Sequence, residues 1–212
     1  MTEITHHLPE NLIIAYAACR LGHAFSVAVA AHVSLCMECR ARLAAHEHAG
    51  GAVLEALPKE TVSHELKLRT MAELSAPARV GLPPPEHAGI YPGAVMAALK
   101  GRPPRWRALG AGIRQCILTE DLEGSLRLLH IPPAQGVPDH GHGGLELTLV
   151  LQGSFSDETG RFGAGDIQVA TEDMAHSPIA GGGMPCVCLA ATDAPLNFRG
   201  WLPRMLQPIF RI

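Results

Sequence analysis

Between Pro77 and Pro104 the chain carries seven of its 17 prolines, in the runs LPPPEH (82–87) and GRPPRW (101–106). Proline lacks the backbone donor that helix interiors and sheet ladders require, so a segment this dense cannot continue either structure. It reads as a linker, extended in part, and it divides the chain into two pieces. The two pieces have different patterns. Residues 1–60 hold 13 alanines and two aromatics, Tyr16 and Phe25, a composition that favours helix. Beyond the prolines come GIRQCILTE, LRLLHIP, LELTLVLQGSF, DIQVA and CVCLAAT, short apolar runs separated by Gly, Pro, Asp or Asn, as strands are. The expected fold is multidomain: an all-α helical bundle over residues 1–80, a proline-rich linker over 81–104, and an all-β domain over 105–212. Many short strands without intervening helices point to a barrel or jelly roll.

The bulk properties exclude several classes. With 47% hydrophobic and 17% charged residues in 212, the chain can bury a core and is not disordered. Its net charge is −3, which argues against a direct phosphate-binding surface for nucleic acid. The apolar run from Leu12 to Ala31 is long enough to span a membrane, but Arg20 lies near its middle and His23 follows. The start MTEITHHLPE has no Lys or Arg, so it is no secretory n-region. A cytoplasmic protein without a membrane span is expected. The six cysteines sit in small local groups rather than in the spread of a disulfide framework.

In the first piece, Pro9 opens a helix through ENLIIAYAACRL that Gly22 ends. A second helix runs from about Phe25 into AAHVSLCMECRARL. A third, RARLAAHEHAGGAVLEAL, has a possible break at Gly50-Gly51, and SHELKLRTMAEL makes a fourth. Placed on one helix, His32, Cys36 and Cys39 share a face within about two turns. Zinc takes four ligands in a tetrahedron and commonly mixes thiolate with imidazole. The fourth ligand is available from His6 or His7, just before the first helix. Two other readings stay open at this level. Cys36 and Cys39 form a C-x-x-C pair, although the redox motif of that spacing follows a strand in a βαβ unit. They also fit two small buried cysteines beside a surface histidine. His23, His46, His48 and His64 lack spacing partners and read as surface or helix-face residues; Cys19 reads as core within the first helix.

In the second piece, GVPDHGHGGLELTLVLQG (136–153) places His140, His142 and Glu146 in H-x-H-x3-E, with Gly153 after it. Downstream, GRFGAGDIQVATEDMAH carries a Gly-Asp turn at 165–166 and then His176. Three histidines and a glutamate can converge on one divalent metal, without selecting among Zn, Mn, Fe, Ni and Cu. These two motifs resemble those of the cupin family, from about Trp106 onward. The second departs from the pattern: Gly163-Ala-Gly165 stands where the family usually has Pro-x-Gly, and Ala180 where it has Asn. Cys186 and Cys188 form C-x-C on one strand face, either as β packing or as a thiol switch. Cys116 reads as a strand residue.

Together, HHLPENLIIAYAA, AAHVSLCMECRARL, PDHGHGGLELTLVLQGSF and the ending LAATDAPLNFRGWLPRMLQPIFRI resemble the ChrR family of zinc-binding anti-sigma factors along nearly the whole chain. The resemblance implies a non-enzymatic transcriptional regulator whose N-terminal domain binds an extracytoplasmic-function sigma factor. It implies zinc ligands His7, His32, Cys36 and Cys39, with His7 rather than His6 matching the family's spacing to NLIIAYAA. It implies cupin ligands His140, His142, Glu146 and His176 for zinc or another divalent transition metal, in a domain associated with the response to oxidative or photo-oxidative stress. The alternative is a metal-dependent cupin enzyme, a dioxygenase or isomerase, with a helical accessory domain. For sigma contact the candidates are apolar faces around Val53, Leu54, Leu57, Leu66 and Leu74, although most of these read first as bundle core.

Overall fold

The computed structural model describes residues 3–75, 86–194 and 196–198, leaving aside the side chains of residues 140, 142 and 196–198. Helix α1 (Glu10–Ala17) begins directly after Pro9, whose carbonyl accepts from the Leu12 N–H at 3.1 Å. The helix stops at Ala18 because Cys19 adopts φ 54°, a left-handed conformation that ends helices. Cys19 is therefore not in the core of a helix running on to Gly22, as the sequence reading has it, but exposed just past a shorter one.

Helix α2 (His23–Leu35) buries Ala24, Phe25, Ala28, Val29, Ala31 and His32 along one side. It is followed after a single residue by α3 (Met37–Ala56), and the two axes bend by 116°. Cys36 makes the corner. Its backbone is extended (φ −100°, ψ 112°), and its sulfur accepts from the Cys39 N–H at 3.4 Å, which caps α3. The three residues His32, Cys36 and Cys39 thus do not share one helical face. They occupy the last turn of α2, the corner and the first turn of α3. Among the described residues no single helix is long and apolar enough to cross a membrane.

Helix α3 runs through Gly50-Gly51 without breaking. Each glycine costs roughly 1 kcal/mol against alanine, and the surrounding Ala, Leu and Glu offset that. Only Cys39 and Leu43, both near its start, are buried. Helix α4 (His64–Ser75) buries nothing. The compact four-helix bundle of the sequence reading is thus smaller than expected: α1, α2 and the beginning of α3 pack together, and the rest of α3 and α4 present their apolar residues outward. Within the expected linker, 81–85 lie outside the described residues, while Gly93–Ala98 forms a helix, α5, that packs on α2 with Val95 and Leu99 buried.

Twelve strands follow among the described residues: β1 (Arg107–Gly110), β2 (Ile113–Asp121), β3 (Gly124–Ile131), β4 (His140–His142), β5 (Glu146–Gln152), β6 (Ser154–Asp157), β7 (Gly160–Gly163), β8 (Ile167–Ala170), β9 (Ala175–His176), β10 (Ile179–Ala180), β11 (Cys186–Thr192) and β12 (Leu196–Phe198). One antiparallel sheet has the order β1-β2-β3-β11-β5-β8, and two smaller ones have β10-β6-β7 and β12-β4-β9. The alternation along β5 divides as its sequence indicates. Leu147, Leu149 and Leu151 join Leu126, Leu128, Ile167 and Leu189 against α2, and Val150 faces the other way, with Ile113, Ile131, Phe155, Phe162, Cys186 and Cys188. The large sheet is therefore covered on both faces, by helices outside and by β6, β7 and β10 inside, and every residue of β11 is buried. The helices and the outer face of the sheet form one continuous apolar cluster. Leu189→Ala, at the centre of that cluster, is expected to cost about 2–5 kcal/mol in chemical denaturation. Because the core is shared, helical and barrel signals should fall in the same transition.

Candidate metal centres

The N-terminal segment runs past the α2–α3 corner and brings His7 onto it. Four ligand atoms, one each from His7, His32, Cys36 and Cys39, lie within 4.8 Å of one another. His7 Nδ1 is 3.2 Å from Cys36 Sγ and 3.8 Å from Cys39 Sγ, and His32 Nε2 is 3.3 Å from Cys39 Sγ. Zinc–nitrogen and zinc–sulfur bond lengths imply tetrahedron edges of about 3.3–3.8 Å, so the spacing fits a Cys2His2 zinc site. His6 points elsewhere. Its ring packs on Phe162 at 4.3 Å, and its Nδ1 lies 3.5 Å from Asp166 Oδ2.

Each of the four candidate ligands has a supporting partner. The Nδ1–H of His32 donates to the Gly165 carbonyl at 3.0 Å, which fixes the tautomer and turns Nε2 toward the sulfurs. His7 Nε2 faces the Glu38 carboxylate at 3.3 Å, leaving Nδ1 for the cluster. Cys39 Sγ has the Arg42 guanidinium at 3.9 Å, and Cys36 Sγ accepts from the Cys39 N–H. Burial pushes the His32 imidazole down to about 4, so it is neutral and its lone pair can ligate. Burial likewise raises the Cys39 thiol to about 11, so a metal that binds there must displace the proton. A neutral imidazole and a thiol that yields its proton to a cation are ordinary zinc-site chemistry.

In the barrel, the antiparallel register sets His140 opposite His176 and opens β5 at Glu146. The side chains of His140 and His142 lie outside the described residues. Glu146 is buried, and its Oε1 accepts from Thr148 Oγ1 at 2.9 Å. His176 is also buried, and its Nδ1–H donates to Asp157 Oδ2 at 2.7 Å. Asp157 collects further donors from Thr159 and Gln168. Burial alone would raise its carboxyl, but these bonds outweigh it and hold it at about 2. An ionised Asp157 fixes the ring of His176 in the way a carboxylate orients a metal-binding imidazole. Sequence reasoning missed Asp157, because it stands 19 residues from His176 at the end of β6 and reads only as a turn residue of SDETG. Asp157→Asn is expected to weaken metal binding in the barrel by about 10- to 100-fold while the N-terminal cluster keeps its metal, as titration of each site with a chelator would measure.

The remaining candidates are simpler. Cys186 and Cys188 point the same way into the inner core with their sulfurs 3.4 Å apart, and the hydrogen bond with Cys186, together with burial, raises the Cys188 thiol. Cys116 is a buried residue of β2. His46 pairs with Glu10, which also binds Arg42, and so ties α3 to the start of α1.

Residues 96–194 match the family described as the ChrR Cupin-like domain. Over 216 residues the chain is 49% identical to the anti-sigma-E factor ChrR of Cereibacter sphaeroides, with 99% of each chain covered. The chain belongs to the ChrR family of anti-sigma factors. It also resembles the ChrR chain in the crystal structure of Rhodobacter sphaeroides SigE in complex with the anti-sigma ChrR. There the identity is 46% and the TM-score 0.77, over 90% of this chain and 100% of that one. The relationship spans the helical part and the barrel together, and it makes the chain a regulator rather than a cupin enzyme with an accessory domain.

Proposed function

We propose that this chain sequesters an extracytoplasmic-function sigma factor in the cytoplasm through its helical region. In this reading zinc is held by His7, His32, Cys36 and Cys39. The barrel carries zinc or another divalent transition metal on His140, His142, Glu146 and His176, and it is required for the response to oxidative or photo-oxidative stress. The observation that carries the docking role is the exposure of large apolar side chains along α3 and α4: Val53, Leu54 and Leu74 are 66%, 70% and 74% exposed, and Leu57, Leu66 and Met71 are exposed as well. Large apolar side chains left this exposed on two successive helices mark a protein contact. The occupant that fits is a sigma factor, because a ChrR relative 46% identical to this chain was solved in complex with SigE.

The zinc cluster has a definite part in this reading. Helix α3 buries only two of its 20 residues, both in its first two turns, so the ligands at its start set its direction. Fixing that direction before encounter lowers the ordering cost of binding. Release then requires a signal that disfavours the bound arrangement relative to the free one. Co-expression with an extracytoplasmic-function sigma factor of the same organism should give a 1:1 complex by size-exclusion chromatography with light scattering. A folded, metal-loaded chain that elutes alone would contradict the proposal. Metal analysis of the free chain should give two metals, of which Cys36→Ala/Cys39→Ala removes one.

A further inference from the structure

The departure Gly163-Ala-Gly165 from the usual cupin motif falls in a turn that touches the N-terminal centre. Asp166, whose side chain is buried, receives the Thr5 N–H at 2.7 Å and the His6 N–H at 2.9 Å on Oδ1, and the Gly163 N–H at 2.7 Å on Oδ2. The His6 carbonyl then accepts from the Ile167 N–H at 3.3 Å, so the segment leading into His7 is bound along the start of β8. Gly165 has φ +95°, a conformation that other residues rarely adopt, and it lies so close to Ile4 that a Cβ there would stand 2.6 Å from Ile4 Cδ1 and displace that side chain. The carbonyl of the same Gly165 fixes the ring of His32. The turn is in turn locked to β5, with the Gly165 N–H donating to the Val150 carbonyl at 2.8 Å and the Val150 N–H to the Asp166 carbonyl at 3.0 Å.

We propose that the Gly163–Asp166 turn of the barrel is the outer shell of the N-terminal centre, orienting His32 directly and positioning His7 through Thr5 and His6. The inference rests on the reading that this cluster holds zinc, and it adds that the barrel sets how tightly. Two ligands come from the α2–α3 corner, and two are aimed by the barrel. A displacement of the β7–β8 turn therefore loosens the metal, and metal binding stiffens the turn, since coupling between two sites is reciprocal. Asp166 and Gly165 act here as positioning groups and are not ligands.

The test uses the full chain with Asp166→Ala, which removes the clamp, and Ile4→Ala, which empties the seat beside Gly165 from the N-terminal side and leaves the barrel strands untouched. Zinc affinity of the Cys36/Cys39 site is read by chelator competition, and its ligand geometry by the visible absorption of the cobalt-substituted protein. Affinity should fall by about 10- to 100-fold in Asp166→Ala and in the same direction, by less, in Ile4→Ala, with an altered cobalt spectrum. Amide exchange at residues 163–167 should accelerate when the wild-type metal is removed. Zinc affinity within twofold of wild type in both variants, with an unchanged cobalt spectrum, overturns the proposal. A wild-type chain that takes up no zinc on Cys36 and Cys39 overturns it together with the reading on which it rests.

Discussion

Replacing Cys36 and Cys39 together with serine is expected to remove the N-terminal metal and, with it, at least about 100-fold of the affinity for sigma, which is about 2.7 kcal/mol. The reason lies in how little else holds α3. Its buried residues are Cys39 and Leu43, and the exposed pairs that Glu10 makes with Arg42 and His46 contribute little. Without metal, the serine hydroxyls and the imidazoles are left as unligated polar groups around the 116° corner, and little fixes the angle at which the docking helix leaves it. The barrel should survive, because Leu126, Leu147, Leu149 and Leu189 still pack on Phe25, Ala28 and Val29 of α2. Isothermal titration against the sigma factor, with metal analysis on the same samples, checks both halves of this expectation. Full sigma affinity in a metal-free double mutant would show that the cluster does not organise the contact surface.

Leu54→Asp/Met71→Asp is expected to separate docking from folding. The two side chains are exposed on α3 and α4, so their replacement should change stability by no more than about 0.5 kcal/mol each and leave the metal content alone. Each charge would nonetheless have to be desolvated against an apolar partner surface. Central contact residues of such interfaces cost about 2 kcal/mol or more when lost, so the pair should lower sigma affinity by a factor of about 30 or more. Unaltered affinity would move the contact surface elsewhere on the chain.

The elements that a local pattern specifies are those that sequence reading places well. Pro9 marks the start of α1, the alternation of ELTLVL assigns the two faces of β5, and the H-x3-C-x2-C spacing finds three of the four His and Cys side chains that the fold brings together. What sequence reading misses depends on distant partners. The corner at Cys36 is stabilised by a cluster that closes only when His7 arrives from 29 residues away. The buried side of α2 reads as helix-bundle core, since Ala28 and Val29 look the same whether a helix or a sheet covers them; here the cover is the outer face of the barrel. Leu54 and Leu74 read as core for the same reason, although both are exposed among the described residues. The support that Gly165 gives His32 crosses 133 residues and involves a backbone carbonyl, which no residue pattern records.

Transcription in vitro joins these claims in one assay. Polymerase core enzyme, the sigma factor that co-purifies with this chain and a promoter that sigma factor recognises are combined with increasing amounts of the zinc-loaded chain. Full-length transcript should disappear as the chain reaches one equivalent of sigma, and it should persist when Cys36→Ser/Cys39→Ser is added instead. Transcription that continues undiminished in the presence of a folded, zinc-loaded wild-type chain would contradict the account.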